Sequence, residues 1–140
     1  TGLLDQLSPF YDIRVDEWKG HDAHDPAASQ AALDWAELIW CEWLLGNAVW
    51  YAQRRRSDQI LIARMHRFEL GRDFGERMAI ENVNAVVAVS TLFFERLLER
   101  FPSIPRPKAR LLPNYIDTKA YTCDFNPERR FTLGVIGILP

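Results

Sequence analysis

The sequence predicts an α/β fold in which a parallel sheet lies between helices as a three-layer sandwich. Apolar runs of strand length recur along the chain with helical patterns between them. The runs are continuous rather than alternating, as expected of strands covered on both faces of a parallel sheet. Helix-start chemistry falls in the gaps, and strand–helix alternation with right-handed crossovers builds such a sandwich.

Strands are expected at 13–18, 37–43, 60–65, 85–89, 110–112 and 131–138. Between the first two, Asp25-Pro26 places a capping carboxylate before a proline at the first helical position, so a helix is expected over 27–35. Gly46-Asn47 opens a second helix that runs to about Arg55. Ser90 caps a third, in which Phe93, Leu97 and Phe101 recur every four residues beside Phe94 and Leu98, and Pro102 ends it. Pro102, Pro105, Pro107 and Pro113 hold the next strand to a short stretch. A polar connector and a fresh apolar run then suggest a domain crossing, with one domain over 1–123 and the connector and first strand of a second over 124–140.

Seventeen Lys and Arg against nineteen Asp and Glu leave a formal charge of −2, which argues against a dedicated nucleic-acid binder. Eight Phe, five Trp and four Tyr are too much aromatic surface for a disordered chain. Cys41 and Cys123 stand in no metal or disulfide spacing, so the cytoplasm is the default compartment. The apolar stretch 38–52 is interrupted by Glu42 and Asn47 and falls short of a membrane span, and no basic-then-apolar leader is visible. Charge is uneven, however. Residues 1–36 carry −5, whereas residues 54–77 carry +3, which marks the middle of the chain as the place for an anionic ligand.

Open parallel sheets bind ligands outside the carboxyl ends of their strands. His66, Arg67 and Glu69 follow the third strand candidate, where His66 can donate to a sugar hydroxyl or phosphate oxygen and Arg67 can pair with phosphate. The competing reading is a satisfied strand-end histidine beside a surface Arg67–Glu69 ion pair. Gly46 and Asn47 place a helix N-terminus on the same edge, either as an anion-attracting site or as a turn glycine and a capping asparagine. Ser90 either caps its helix alone or also meets a ligand. His21-Asp22-Ala23-His24-Asp25 has metal-binding residue types without further ligands at matching spacing, so a solvated loop is expected and no metal. Trp50 and Tyr51 beside Arg54, Arg55 and Arg56 suit an anionic lipid surface at the inner face of the membrane, or else form an exposed helix end. No P-loop, complete GxGxxG or Ser/His/Asp order supports ATP hydrolysis or nucleophilic catalysis.

Taken together, AELIWCEWLLGNAVWYA, LIARMHRFEL, ENVNAVVAVSTLFFERLLERF, ARLLPNYIDTKAY and TLGVIGILP resemble consecutive pieces of a GT-B glycosyltransferase of the retaining, family 4 type. The match covers roughly residues 36–140. It implies a Rossmann-like, acceptor-side domain and the start of a donor-binding domain, as the centre of an enzyme incomplete at both ends. It further implies transfer of a sugar from a nucleotide-sugar donor to an acceptor glycan or glycolipid hydroxyl, in polysaccharide or glycoconjugate synthesis, with no metal or other cofactor.

In that family a histidine after a first-domain strand contacts the transferred sugar, and His66 occupies the matching position. LLPNYID, with Asn114, resembles the connector IPNGVD, though Tyr115 replaces its glycine. Gly134 and Gly137 of LGVIGIL resemble the strand that leads to the donor phosphates, with Ile138 in place of the arginine of GRL. The family's lysine and its two glutamates seven apart find no match, so the 140 residues alone are expected not to turn over. A non-catalytic α/β binding module and a peripheral membrane module are the alternatives.

Overall fold

In a computed structural model, residues 2–116 and 118–120 are described. They form an α/β fold around a four-stranded, all-parallel sheet of β1 (Leu38–Cys41), β2 (Ile60–Met65), β3 (Ala85–Ala88) and β4 (Ala109–Leu111), in the order β1-β2-β3-β4. The all-parallel sheet with flanking helices is Rossmann-like and is consistent with part of a three-layer sandwich, the crossover helices among the described residues lying on one of its faces. The helices are α1 (Gly2–Leu7), α2 (Pro26–Trp35), α3 (Gly46–Arg54), α4 (Phe74–Arg77) and α5 (Thr91–Arg100). The expected strand at 131–138 lies outside the described residues.

Strand register sets which side chains share a face. Leu38 aligns with Ile60, Trp40 with Ile62, Ile62 with Ala85, and Val87 with Arg110. Alternation then puts Ile39, Cys41, Leu61, Ala63, Met65, Val86, Ala88 and Ala109 on one face, all buried. A strand order that never reverses, with right-handed crossovers, sends the connecting helices to a single side of the sheet. The packing agrees: α3 lies against β1 and β2, and α5 against β3 and β4. Ala48, Val49 and Ala52 of α3 and Leu97 of α5, with Phe101, close that core. On the other face Leu38 is 49% exposed, Trp40 38% and Ile60 46%.

The helix starts follow their local chemistry. Asp25 Oδ1 accepts from the N–H groups of Ala27 (2.9 Å) and Ala28 (3.2 Å), with Pro26 next to the cap. Ser90 Oγ accepts from Phe93 N–H at 3.3 Å at the start of α5. The far end of α2 is closed from a distance, because Arg56 and Gln59 both donate to its last carbonyls, Gln59 to Leu33 and Ala36 at 2.6 Å.

The sequence expectation fails at 13–18, which forms no strand. Ile13 and Val15 are exposed, and the segment is held by its polar residues instead. Asp16 Oδ2 accepts from Ser29 Oγ, Tyr51 OH and Trp18 Nε1, each at 2.7 Å. These bonds strap the segment to α2 and α3. Lys19 then pairs with Ala23 in a single antiparallel bridge that turns through Gly20 at φ 69°.

Candidate functional site

The chemistry collects at the carboxyl ends of β1, β2 and β4. Because Trp40 registers with Ile62, two residues further along each strand bring Glu42 beside Arg64. Glu42 Oε1 lies 2.9 Å from Arg64 Nη1 and 3.3 Å from His66 Nε2, while Oε2 accepts from Trp40 Nε1 at 2.8 Å. Arg64 Nη2 donates to Asn114 Oδ1, which ties the segment after β4 into the same cluster. Arg64 is buried, whereas the Glu42 side chain is 45% exposed and that of His66 22%. The ring of Trp43 packs 4.4 Å from the His66 ring, tilted 34°, and is itself exposed. The result is a water-facing carboxylate and imidazole on a buried guanidinium, beside an aromatic platform.

Glu69 works below this surface rather than on it. It is 0% exposed, and its carboxylate accepts the backbone N–H of His66 at 3.1 and 3.2 Å and that of Leu44 at 3.3 Å. It therefore staples the loop after β2 to the loop after β1, and neither a ligand contact nor a surface pair with Arg67 describes it. Arg67 is exposed, and among the described residues its guanidinium makes no hydrogen bond or ion pair. His66, Glu69 and Asn114 are thus brought together from the expected set, joined by Glu42, Arg64 and Trp43.

The start of α3 is closed. Gly46 is buried, its N–H donates to His21 O at 2.9 Å, and a Cβ there would meet Asp22 Oδ1 at 2.1 Å and His21 O at 2.7 Å. The glycine serves close approach of the 21–22 loop, so the expected anion site at this N-terminus is covered. Asn47 sits inside the first turn rather than at the cap, and its Oδ1 accepts from Ala48 N–H at 2.8 Å. No described contact joins it to His66. Ser90 is accounted for by its capping bond. Gly134 and Gly137 lie outside the described residues.

The aromatic and basic group at the end of α3 is partly tied into the fold, with Arg54 and Arg56 exposed. Tyr51 is buried with its hydroxyl on Asp16, so it is not available to a lipid surface. Arg55 donates to the carbonyls of Asn82 and Gln59, and Arg56 to those of Leu33, Asp34 and Ala36. Arg54 lies over Trp50, 4.6 Å from the ring centroid. His24 stacks on Trp18 at 3.9 Å with Nδ1 2.7 Å from Ser29 Oγ, while His21 packs on Phe68. Ser29 stands between carboxylate and imidazole and is fully buried, an order unlike that of a nucleophilic triad. Among the described residues no group of three His, Cys, Asp or Glu is placed to hold a metal ion, and no helix is long and apolar enough to cross a membrane.

Two surface depressions, of about 310 Å³ between Leu70, Arg96, Glu99 and Arg100 and about 510 Å³ around Arg14, Lys19, Asp25 and Ala28, are lined by none of Glu42, Trp43, Arg64, His66 and Asn114. Neither brings buried polar groups together as the β1–β2–β4 edge does. That edge is the carboxyl-end side of the sheet, the side on which open α/β sheets take their ligands, although the described strand order holds no reversal. No known protein family matches the chain, and no curated protein or solved structure matches it. Fold and edge together define an α/β protein with a polar, aromatic-flanked cluster at the carboxyl ends of its strands.

Proposed function

We propose that this chain is the acceptor-side part of a glycosyltransferase of the GT-B, retaining family 4 type, moving a sugar from a nucleotide-sugar donor to an acceptor hydroxyl. The observation that carries the reading is the convergence of Glu42, Arg64, His66 and Asn114 beside the exposed ring of Trp43. A sugar offers hydroxyls that both donate and accept, and an apolar C–H face. Carboxylate and amide oxygens, an imidazole and an aromatic ring answer those features in kind.

Transfer also needs an acceptor hydroxyl held in line and donors for the leaving diphosphate. His66 and Glu42 serve the first. Arg67, next in the chain and uncommitted, is the phosphate contact this segment offers.

The test is calorimetry and saturation-transfer NMR on the 140-residue protein with a panel of nucleotide sugars and alkyl glycosides. The expected result is binding that His66→Ala or Trp43→Ala weakens by about tenfold or more, the effect of losing one hydrogen bond to a charged network or one stacking face. A folded chain that binds none of the panel at millimolar concentration, or binds it equally well in both variants, rejects the reading.

A further inference from the structure

His66 is fixed at three points. Its backbone N–H is held by Glu69, its ring plane by Trp43, and its Nε2 by Glu42. The third contact settles which nitrogen carries the proton. Glu42 accepts at both oxygens, from Arg64 on one and Trp40 on the other, so it meets His66 as an acceptor. The nitrogen 3.3 Å from Oε1 must then be the N–H. Arg64 pairs with the same carboxylate oxygen, and the contact asks of the ring only an N–H donor. A neutral imidazole with its proton on Nε2 presents a lone pair at Nδ1, and among the described residues Nδ1 has no partner.

We infer that Glu42 is a positioning residue that locks His66 as the Nε2–H tautomer, so that Nδ1 accepts a hydrogen bond from a ligand hydroxyl rather than donating to a phosphate. This deepens the sugar-binding reading and rests on it for the identity of the hydroxyl. The tautomer itself stands on the geometry alone. It narrows the role of His66, which as a residue considered by itself can donate to either kind of oxygen. The charged groups around the ring are Glu42, with Arg64 behind it, Glu69 at the backbone, and Arg67 next in the chain.

Long-range proton–nitrogen NMR of the histidine rings decides the matter on the 140-residue protein, with His66 assigned by the signal lost in His66→Gln. Near neutral pH the spectrum is expected to show protonated Nε2 and bare Nδ1. Glu42→Leu should shift the ring toward a tautomer mixture, and Glu42→Gln, whose amide oxygen can still accept, should keep most of the bias. Titration with inorganic phosphate should leave Nδ1 bare.

An Nδ1–H ring in the wild type, a tautomer ratio unmoved by Glu42→Leu in a folded protein, or phosphate-induced protonation of Nδ1 would overturn the assignment. If Glu42→Leu fails to fold, the wild-type spectrum and the phosphate titration still decide it. Failure of the sugar panel alongside an Nε2–H ring would reject the transferase reading and leave the positioning role of Glu42 standing.

Discussion

Glu69 shows how one side chain can matter to a site without reaching it. Its carboxylate is shut off from water and satisfies the backbone N–H groups of Leu44 and His66, which otherwise have no acceptor in that loop pair. Replacing it by Leu leaves the buried Leu44 donor unmet, at about 1–3 kcal/mol, and the part-buried His66 donor unmet at the low end of that range. Glu69→Leu should therefore lower the stability read by urea denaturation by about 2–4 kcal/mol. A loss below about 0.5 kcal/mol, the size of an ordinary surface substitution, would show that water reaches those N–H groups. The sequence offers Glu69 either to a ligand or to a surface pair with Arg67, because spacing alone does not tell a side chain that turns inward from one that turns out. Glu42 and Arg64 were passed over for a related reason. Each stands as a lone charge in an apolar run, and only the parallel register of β1 and β2 makes them neighbours.

At the scale of elements, local chemistry was legible and pairing was not. Asp25-Pro26 and Ser90 start their helices as the capping rules expect, and β2 spans the run 60–65 marked for it. The segment 13–18 misled, since a short run with apolar residues signals a strand only if a neighbour offers an open edge in register. Here Asp16 binds it to α2 and α3 instead. Burial works to raise the Asp16 pKa, yet the bonds from Ser29, Tyr51 and Trp18, with the charge of His24, hold the carboxyl below its usual value. A carboxylate depressed by folding adds stability above its unfolded pKa of about 4, and that contribution is lost as pH falls through the folded value. Acid should thus release the strap. The urea midpoint of the wild type is expected to fall between about pH 5 and pH 3 more steeply than that of Asp16→Asn. Parallel curves would show that Asp16 does not anchor the segment. The strap also fixes its own docking point on α3. Helix propensity alone favours alanine over glycine, by up to about 1 kcal/mol in a helix interior and by less at the first position held by Gly46. The Cβ of Gly46→Ala would instead strike the backbone of His21 and Asp22, so the variant should be less stable than the wild type by about 1–3 kcal/mol in the same denaturation. A more stable variant would mean that the 21–22 loop yields freely.

For the molecule as a whole, continuous apolar runs announced a parallel sheet, but strand order came only with the structure. That order places Cys41 of the edge strand β1 on the helix-covered face, at 2% exposure and in contact with the main core. Burial, with a smaller contribution from the negative charge of Asp16, pushes its thiol pKa up to about 12. Alkylation needs both access and the thiolate, and the folded state denies each. Cys41 should therefore react with iodoacetamide only through opening of the sheet. Its labelling rate, read by mass spectrometry of the peptide that contains it, is expected to rise with urea in step with the unfolded population and to fall whenever a ligand stabilises the fold. Agreement with the global unfolding free energy would establish β1, with Glu42 directly after it, as part of the last cooperative unit to open, so that the Glu42–Arg64–His66 cluster is prebuilt in the folded chain. Rapid labelling in native buffer would place β1 in a separately opening unit, and a rigid Glu42–His66 geometry could not then be sustained.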